Sequence, residues 1–249
     1  MQNEIPIDLI CQSDPSAKNY ASKGREGYYV AKRLVDFCLA CALLVFLSPI
    51  MLMIAVLIFI YSPGPIFFVQ ERVGAKKYSR NGRTYWKRED FNCYKFRTMH
   101  VKADPAIHQA YVKALIENDE EKMTAIQGSK TQPRKLVNDP RVIRPGKILR
   151  KLSLDELPQL LNVVKGEMSL VGPRPAIPYE VEMYKPWHLR RLEALPGITG
   201  WQQVKARCST DFDSQVQFDL EYIKKQSFWL DLKIIMLTPW VVISTKGAH

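Results

Sequence analysis

Residues 37–61 read FCLACALLVFLSPIMLMIAVLIFIY, 25 consecutive positions without a formal charge. A straight helix of that length measures about 38 Å, enough to span a hydrocarbon core of about 30 Å. The run is too long and too uniformly apolar for the surface helix of a globular domain, and wholly buried core helices seldom pass about 20 residues. A cleaved signal peptide fits poorly, because a polar stretch of about thirty residues comes first and no small-residue cleavage site follows. The segment therefore reads as membrane-embedded.

Ser48-Pro49 falls in its middle. Proline removes a backbone donor and clashes with the preceding turn, so a bend or break is expected, leaving two halves each too short to cross a bilayer alone. The segment either crosses with a kink or enters one leaflet and returns. Lys32 and Arg33 precede it, while Arg72, Lys76, Lys77, Arg80 and Arg83 follow soon after. Basic residues on both flanks contradict a simple crossing under the positive-inside preference, whereas re-entry with both ends cytoplasmic satisfies them. Asp36, one turn beyond Lys32, can pair with Lys32 or Arg33 at the interface and would be costly any deeper.

Outside this run the chain looks like a folded, basic protein. Its 249 residues can bury a core without an external staple. Lys plus Arg total 36 against 25 Asp plus Glu, a net charge of +11, which favours a partner carrying phosphate. The charge is concentrated: residues 62–100 hold nine Lys or Arg against three acidic residues, and residues 130–151 hold eight against one. Such stretches suit a face turned toward anionic lipid. Five cysteines, two of them inside the apolar run, offer no zinc-site pattern with the four histidines and suit a reducing compartment.

Residues 1–30 form a polar tail without apolar periodicity, and residues 31–61 the membrane segment. Residues 62–249 are left for a catalytic domain with a surface excursion at about 100–138. Ile66 to Gln70 has the composition of a short strand, and Asn81-Gly82 suggests a hairpin turn. Residues 104–127 have helical spacing around Ile107, Tyr111, Leu115 and Ile116. Toward the C-terminus, Phe228-Trp229-Leu230 and Trp240 beside an apolar run suit either a helix at the headgroup level or one packed on the core.

The densest polar constellation runs from Arg150 through Ser153-Leu154-Asp155-Glu156-Leu157-Pro158-Gln159 to Asn162. Ser153 and Glu156 have capping-box spacing; alternatively Asp155 is the cap. Either choice places Asp155 and Glu156 at a helix N-terminus, where backbone donors favour carboxylates and phosphates. Gly172-Pro173-Arg174-Pro175 follows the same helix and fixes an arginine rigidly, in a form suited to gripping phosphate. Carboxylates and guanidinium groups together suit phosphoryl transfer. No dinucleotide fingerprint or P-loop is present, and aromatic residues do not alternate with the basic runs as an RNA-binding sheet requires. Nucleic acid is therefore not expected as a partner.

These blocks resemble the bacterial sugar transferases, the monotopic phosphoglycosyl transferases. The resemblance runs from Lys32-Arg33-Leu34-Val35-Asp36 to about residue 243. Its landmarks include Ser48-Pro49, Ser62-Pro63-Gly64-Pro65, Lys95-Phe96-Arg97-Thr98-Met99, Asp139-Pro140-Arg141-Val142, Leu154-Asp155-Glu156-Leu157-Pro158-Gln159-Leu160, Val171-Gly172-Pro173-Arg174-Pro175, Pro196-Gly197-Ile198-Thr199-Gly200-Trp201 and Trp229-Leu230-Asp231-Leu232-Lys233.

The resemblance implies an α+β monotopic protein. Its parts are a re-entrant helix-break-helix turning at Ser48 and Pro49 and a mainly helical cytoplasmic catalytic domain with a small β element. It implies transfer of hexose 1-phosphate from a UDP-sugar to undecaprenyl phosphate at the cytoplasmic face of the bacterial inner membrane, with Mg2+ as cofactor. UMP is released, and capsule, exopolysaccharide or O-antigen assembly is initiated. Asp155 would attack the phosphate bonded to the hexose and carry a covalent phosphosugar. Glu156 would assist activation of the polyprenyl phosphate. Arg72, Arg97, Arg150 and Arg174 are the candidates for holding phosphates, Asp155 and Asp219 for the metal.

Trp201-Gln202-Gln203 stands where Leu-Trp-Gln is common in the family, and Lys205-Ala206-Arg207 where Ser-Gly-Arg is common, which leaves the sugar open. The lack of a large N-terminal membrane domain is expected to mark a short, stand-alone form. Anionic phospholipid and a second copy of the chain are the other partners considered. The competing reading is a non-catalytic membrane-surface scaffold in which the acid pair only caps a helix.

Overall fold

The computed structural model describes residues 26–80, 83–101, 106–127, 141–206 and 211–244. The tail up to residue 25, the Asn81-Gly82 turn, Asp139-Pro140, Arg207 and most of the stretch between 102 and 140 outside its two helices lie outside the described residues.

The apolar run lies within one helix, α1, Glu26–Tyr61, which if straight would extend about 54 Å. Among the described residues it is the one helix long and apolar enough to cross a membrane. The break expected at Ser48-Pro49 is not a loss of helix. Pro49 has no N–H to offer the Val45 carbonyl four residues back, but Ser48 Oγ donates to that oxygen at 2.8 Å. The serine thus repairs the acceptor that the proline orphans, and helical structure continues.

Burial along α1 falls into two patches on either side of Pro49. Ala40 and Ile58, each nine residues from the proline, are fully buried, while Val45 and Phe46 are 77% exposed and Leu52 is 68% exposed. The N-terminal half packs through Ala40 and Leu44 on Cys93, Leu160, Val163 and Met168. The C-terminal half packs through Ile54 and Ile58 on Phe96, Ile143 and Leu149. Both halves therefore rest one face on the globular part, while their outer face and the residues next to Pro49 are exposed.

The globular part begins with an antiparallel hairpin, β1 (Phe67–Arg80) and β2 (Arg83–Phe96), in register from Phe67↔Phe96 to Arg80↔Arg83. The strand expected over 66–70 is thus the start of a much longer ribbon. Helices α2 (Ala106–Ile116) and α3 (Glu120–Gln127) follow. Instead of standing away from the surface as an excursion, α2 docks. Its Val112 and Ile116 join Val73, Ala176, Val181 and Phe212 in a second core cluster. The periodicity at Tyr111 and Ile116 marked a helix but not what it packs against.

Next come α4 (Arg144–Lys151), a 3-10 helix over Leu154–Gln159, and α5 (Leu160–Lys165). Strand β3 (Ser169–Val171) pairs in parallel with β4 (Gly197–Thr199); between them lie α6 (Pro178–Val181) and a 3-10 helix, Pro186–Leu192. A Cβ on Gly197 would overlap the Gly172 nitrogen, so glycine is required where the Gly172-Pro173-Arg174-Pro175 loop lies against β4. Helices α7 (Trp201–Lys205), α8 (Phe212–Lys225) and α9 (Phe228–Ile243) complete the chain. On α9, Asp231 and Ile234 face inward, while Trp229, Met236, Trp240 and Ile243 are exposed. One face of this helix packs on the core and the other is bare and apolar.

Charged groups join α1 to this body. Asp231 accepts from Tyr28 at 2.8 Å, Lys32 at 2.9 Å and Tyr222 at 2.8 Å, linking α1, α8 and α9. Asp36 accepts from the Leu170 backbone N–H at 3.2 Å, with Lys32 3.9 Å away. Arg33, expected beside Asp36, instead donates to the Val163 and Val164 carbonyls, near the C-terminal end of α5. At the far end of α1, which has no basic residue in its last turn, buried Arg97 donates to the Ser62 carbonyl. The residue just after β2 thus places positive charge where the helix dipole is negative.

Replacing Asp231 with alanine would leave the Lys32 ammonium, largely buried, without its nearest counter-charge. Loss of one partner of a buried ion pair costs about 3 kcal/mol. Thermal unfolding of the detergent-solubilised Asp231→Ala protein should show a markedly lower midpoint; an unchanged midpoint would mean the hub does not hold α1 to the body.

Candidate active site

The acid pair occupies the first turn of the 3-10 helix Leu154–Gln159, as both capping readings required. Neither cap forms as drawn. Ser153 has φ 54°, the left-handed region, whereas an N-cap needs extended backbone, and its side chain makes no capping bond. The left-handed turn at Ser153 redirects the chain from α4 into the tighter helix.

That helix packs on the end of β2, which brings in Lys95. Its ammonium donates to Glu156 Oε1 at 2.9 Å, and Arg174, from the loop after β3, donates to the same oxygen at 2.9 Å. Burial alone would push the Glu156 carboxyl up, but Arg174 and Lys95 outweigh it and hold the group well below the usual carboxylate range. Asp155 is treated in the opposite way. Among the described residues its carboxylate has no hydrogen-bond or ion-pair partner. Burial and the neighbouring Glu156 charge raise its pKa, against Lys95, Arg150 and Arg174. Two adjacent carboxylates thus differ in kind: one is tied to two cations, the other is unengaged.

Beside them lies a small cleft, about 180 Å3 including its open mouth, lined by Arg72, Cys93, Lys95, Gln159, Arg174 and Pro175. Arg72 is held by the Pro175 carbonyl at 2.9 Å and Gln70 Oε1 at 2.7 Å, and its Nε is buried without a partner. Burial and the nearby Arg174 lower its pKa. Arg150, in the last turn of α4, has no partner among the described residues and acts on Asp155. The docked α2 reaches the same neighbourhood: His108 Nδ1 lies 2.7 Å from the Tyr179 hydroxyl. Burial lowers the His108 pKa, as do Arg72, Arg141 and Arg150.

Of the residues singled out by sequence, Asp155, Glu156, Arg72, Arg150 and Arg174 are brought together. Arg97 and Asp219 are not. Arg97 lies just past the end of β2 and turns beneath the Ser62 carbonyl at the exit of α1. Asp219 is 1% exposed and accepts from Arg191 at 2.7 Å, within a buried network that includes Tyr184 and Glu180. Asp219 is thus engaged by Arg191 and does not line the cleft. Among the described residues no three His, Cys, Asp or Glu side chains cluster as a metal site. Sequence reasoning missed Lys95, Gln159 and Cys93. Lys95 and Cys93 share one face of β2 by the two-residue strand period, a signal present in the sequence but usable only once the strand is known.

The chain that builds this site has relatives among known proteins. The Bacterial sugar transferase family matches residues 27–245. The chain is 37% identical over 220 residues to the exopolysaccharide production protein ExoY of Rhizobium meliloti, covering 88% of each. It is 45% identical over 186 residues to the galactosyl transferase CpsE of Streptococcus agalactiae, covering 74% of this chain and 36% of that protein. It is 37% identical over 226 residues to the UDP-glucose:undecaprenyl-phosphate glucose-1-phosphate transferase of Escherichia coli, covering 88% of this chain and 41% of that one. The match spans the whole described part, acid pair and long helix included, and the chain belongs to the bacterial sugar transferase family.

Proposed function

We propose that this chain transfers a hexose 1-phosphate from a UDP-sugar to undecaprenyl phosphate, the committing step of a polysaccharide or glycoconjugate. The observation that carries the mechanism is the split acid pair. Asp155 has a carboxylate with no partner among the described residues, next to Glu156, whose two cations line the cleft. A carboxylate in that state serves as nucleophile. In the first half-reaction an Asp155 oxygen attacks the phosphorus bonded to the hexose, the bond to the UMP oxygen breaks, and UMP leaves. In the second, a phosphate oxygen of undecaprenyl phosphate attacks the same phosphorus and the Asp155–phosphorus bond breaks, which restores the carboxylate.

Glu156 is too strongly held by Lys95 and Arg174 to act as a base. Its part is to fix those two cations, which together with Arg72 face the donor diphosphate. Arg150, unengaged, is placed to meet negative charge on the transferring group. Mg2+ fits this donor set, because the ion needs only one or two carboxylates when substrate phosphates supply the remaining oxygens; Asp155 is the side chain that would hold it. When bound, the ion neutralises diphosphate charge.

The burial pattern of α1 supports a re-entrant reading. A single straight crossing would carry one half of the helix away from the body, yet each half has a face packed on it. The exposed Trp229, Met236 and Trp240 on α9 would then lie at the lipid surface, with the basic residues of α4 facing anionic headgroups.

Detergent-purified protein given Mg2+, undecaprenyl phosphate and a panel of UDP-sugars should release UMP with at least one donor. Asp155→Ala should lower that rate about 10^3-fold or more while leaving the fold intact; full activity in that variant would return the pair to a structural role. The pH profile offers a second check. Because the Asp155 pKa is raised and the ionised form attacks, activity is present above that pKa and lost as pH falls through it. The acid limb of kcat/KM therefore lies above the ordinary aspartate range, and Lys95→Met, which removes a stabilising cation, should move it higher still. For topology, single cysteines placed before Lys32 and after Lys77 should be labelled from the same face of sealed vesicles; labelling from opposite faces would refute re-entry.

A further inference from the structure

Gln159 ends the 3-10 helix that begins with the acid pair, four residues beyond Asp155, and its side chain lines the cleft. The residue is 2% exposed, yet its amide makes no hydrogen bond in the described residues. It is also absent from the side-chain atoms sealed off from solvent without a partner, so the amide reaches the opening instead of being lost in the interior. A primary amide has two donors and an acceptor, and leaving it unpaired at this depth works against the fold unless something else uses it.

The surrounding groups limit what that is. The other polar side chains of the cleft have partners, Lys95 and Arg174 on Glu156 and Arg72 on Gln70 and the Pro175 carbonyl, although the Arg72 Nε is unpaired. No described carboxylate or carbonyl takes the Gln159 N–H groups, and three cations around the opening select an anionic oxygen as the occupant. Gln159 lies three residues, one 3-10 turn, beyond Glu156, the neighbour of Asp155 in sequence, and so on the same face of the short helix as Glu156; the two cations that hold Glu156, Lys95 and Arg174, line the cleft with it.

We propose that the Gln159 side-chain amide donates a hydrogen bond to a non-bridging oxygen of the phosphoryl group attacked by Asp155. This rests on the reading of the cleft as a phosphoryl-transfer site and adds a catalytic residue to it. A neutral donor suits the position. It stabilises the negative charge spreading over the phosphoryl oxygens without adding another full charge that would hold the departing UMP. No bond to Gln159 forms or breaks, and no proton is transferred to it.

The test separates a ligand-facing amide from a structural one, because the two have opposite signatures. Gln159→Leu keeps the volume and removes the hydrogen bonds; Gln159→Met does the same with an unbranched chain, should the leucine variant not fold. With a donor that the wild-type protein turns over, kcat should fall about 10- to 100-fold, with a donor KM change of less than about threefold. The thermal midpoint of the free protein should be unchanged or higher, since no native hydrogen bond is lost. Activity equal to the wild type, or a loss of activity matched by a lower midpoint in both variants, would overturn the assignment. A wild-type protein inactive with every donor would overturn the phosphoryl-transfer reading, and this inference with it; an active wild type with active variants would overturn this inference alone.

Discussion

The double ion pair on a single oxygen of Glu156 is the constraint on which the site depends. It joins three segments distant in sequence: Lys95 at the end of β2, the 3-10 helix, and Arg174 in the loop after β3. Those segments pack on different parts of the core, so the hairpin, the short parallel sheet and the helix all must be in place for the pair to form. Its chemical effect is to divide two neighbouring carboxylates. With both cations drawn to Glu156, Asp155 keeps a raised pKa and an unshared pair of oxygens. Had the cations been shared evenly, neither carboxylate would be available to a substrate.

The same logic of engaged and unengaged polar groups distinguishes structure from chemistry across the molecule. Asp231, Asp219 and Arg33 have their hydrogen-bonding capacity used by other parts of the chain, and each ties two or more elements together. Asp155, Arg150, Gln159 and the Arg72 Nε do not, and they belong to the acid pair and its cleft. Buried atoms of Arg97 and Arg191 also lack partners, so the site is marked by carboxylates and cations in company and not by missing partners alone.

Much of this was legible in the sequence. The long apolar helix over residues 37–61 followed from length and composition, and the acid pair does stand in the first turn of a helix, though without the cap its flanking residues suggested. The basic character of the site followed from charge. Three things were not. The persistence of helix through Pro49 depends on one side-chain hydrogen bond, and a serine before proline reads equally as a hinge. Arg97 was grouped with the phosphate-binding arginines because spacing along the chain does not reveal that β2 ends one residue earlier, which turns the guanidinium toward the end of α1. Asp219 looked like a spare carboxylate because its partner, Arg191, is 28 residues away and meets it only after α8 packs against the 3-10 helix Pro186–Leu192. In each case a local pattern was overridden by a contact between distant segments.

Both halves of α1 are fastened to the globular part, by packing on either side of Pro49 and by charged contacts at either end. On the proposed reading α1 is the anchor, and a body fastened along both of its halves holds the cleft at one depth relative to the lipid, which sets the dimensionality of the two encounters. A water-soluble donor arrives from a volume, in any direction open to the cleft mouth, whereas the polyprenyl acceptor arrives by lateral diffusion within a plane, its phosphate already at the height of the reacting group. The lipid's search is shortened to two coordinates, and the rate of the second half-reaction becomes a property of how densely the acceptor populates one leaflet.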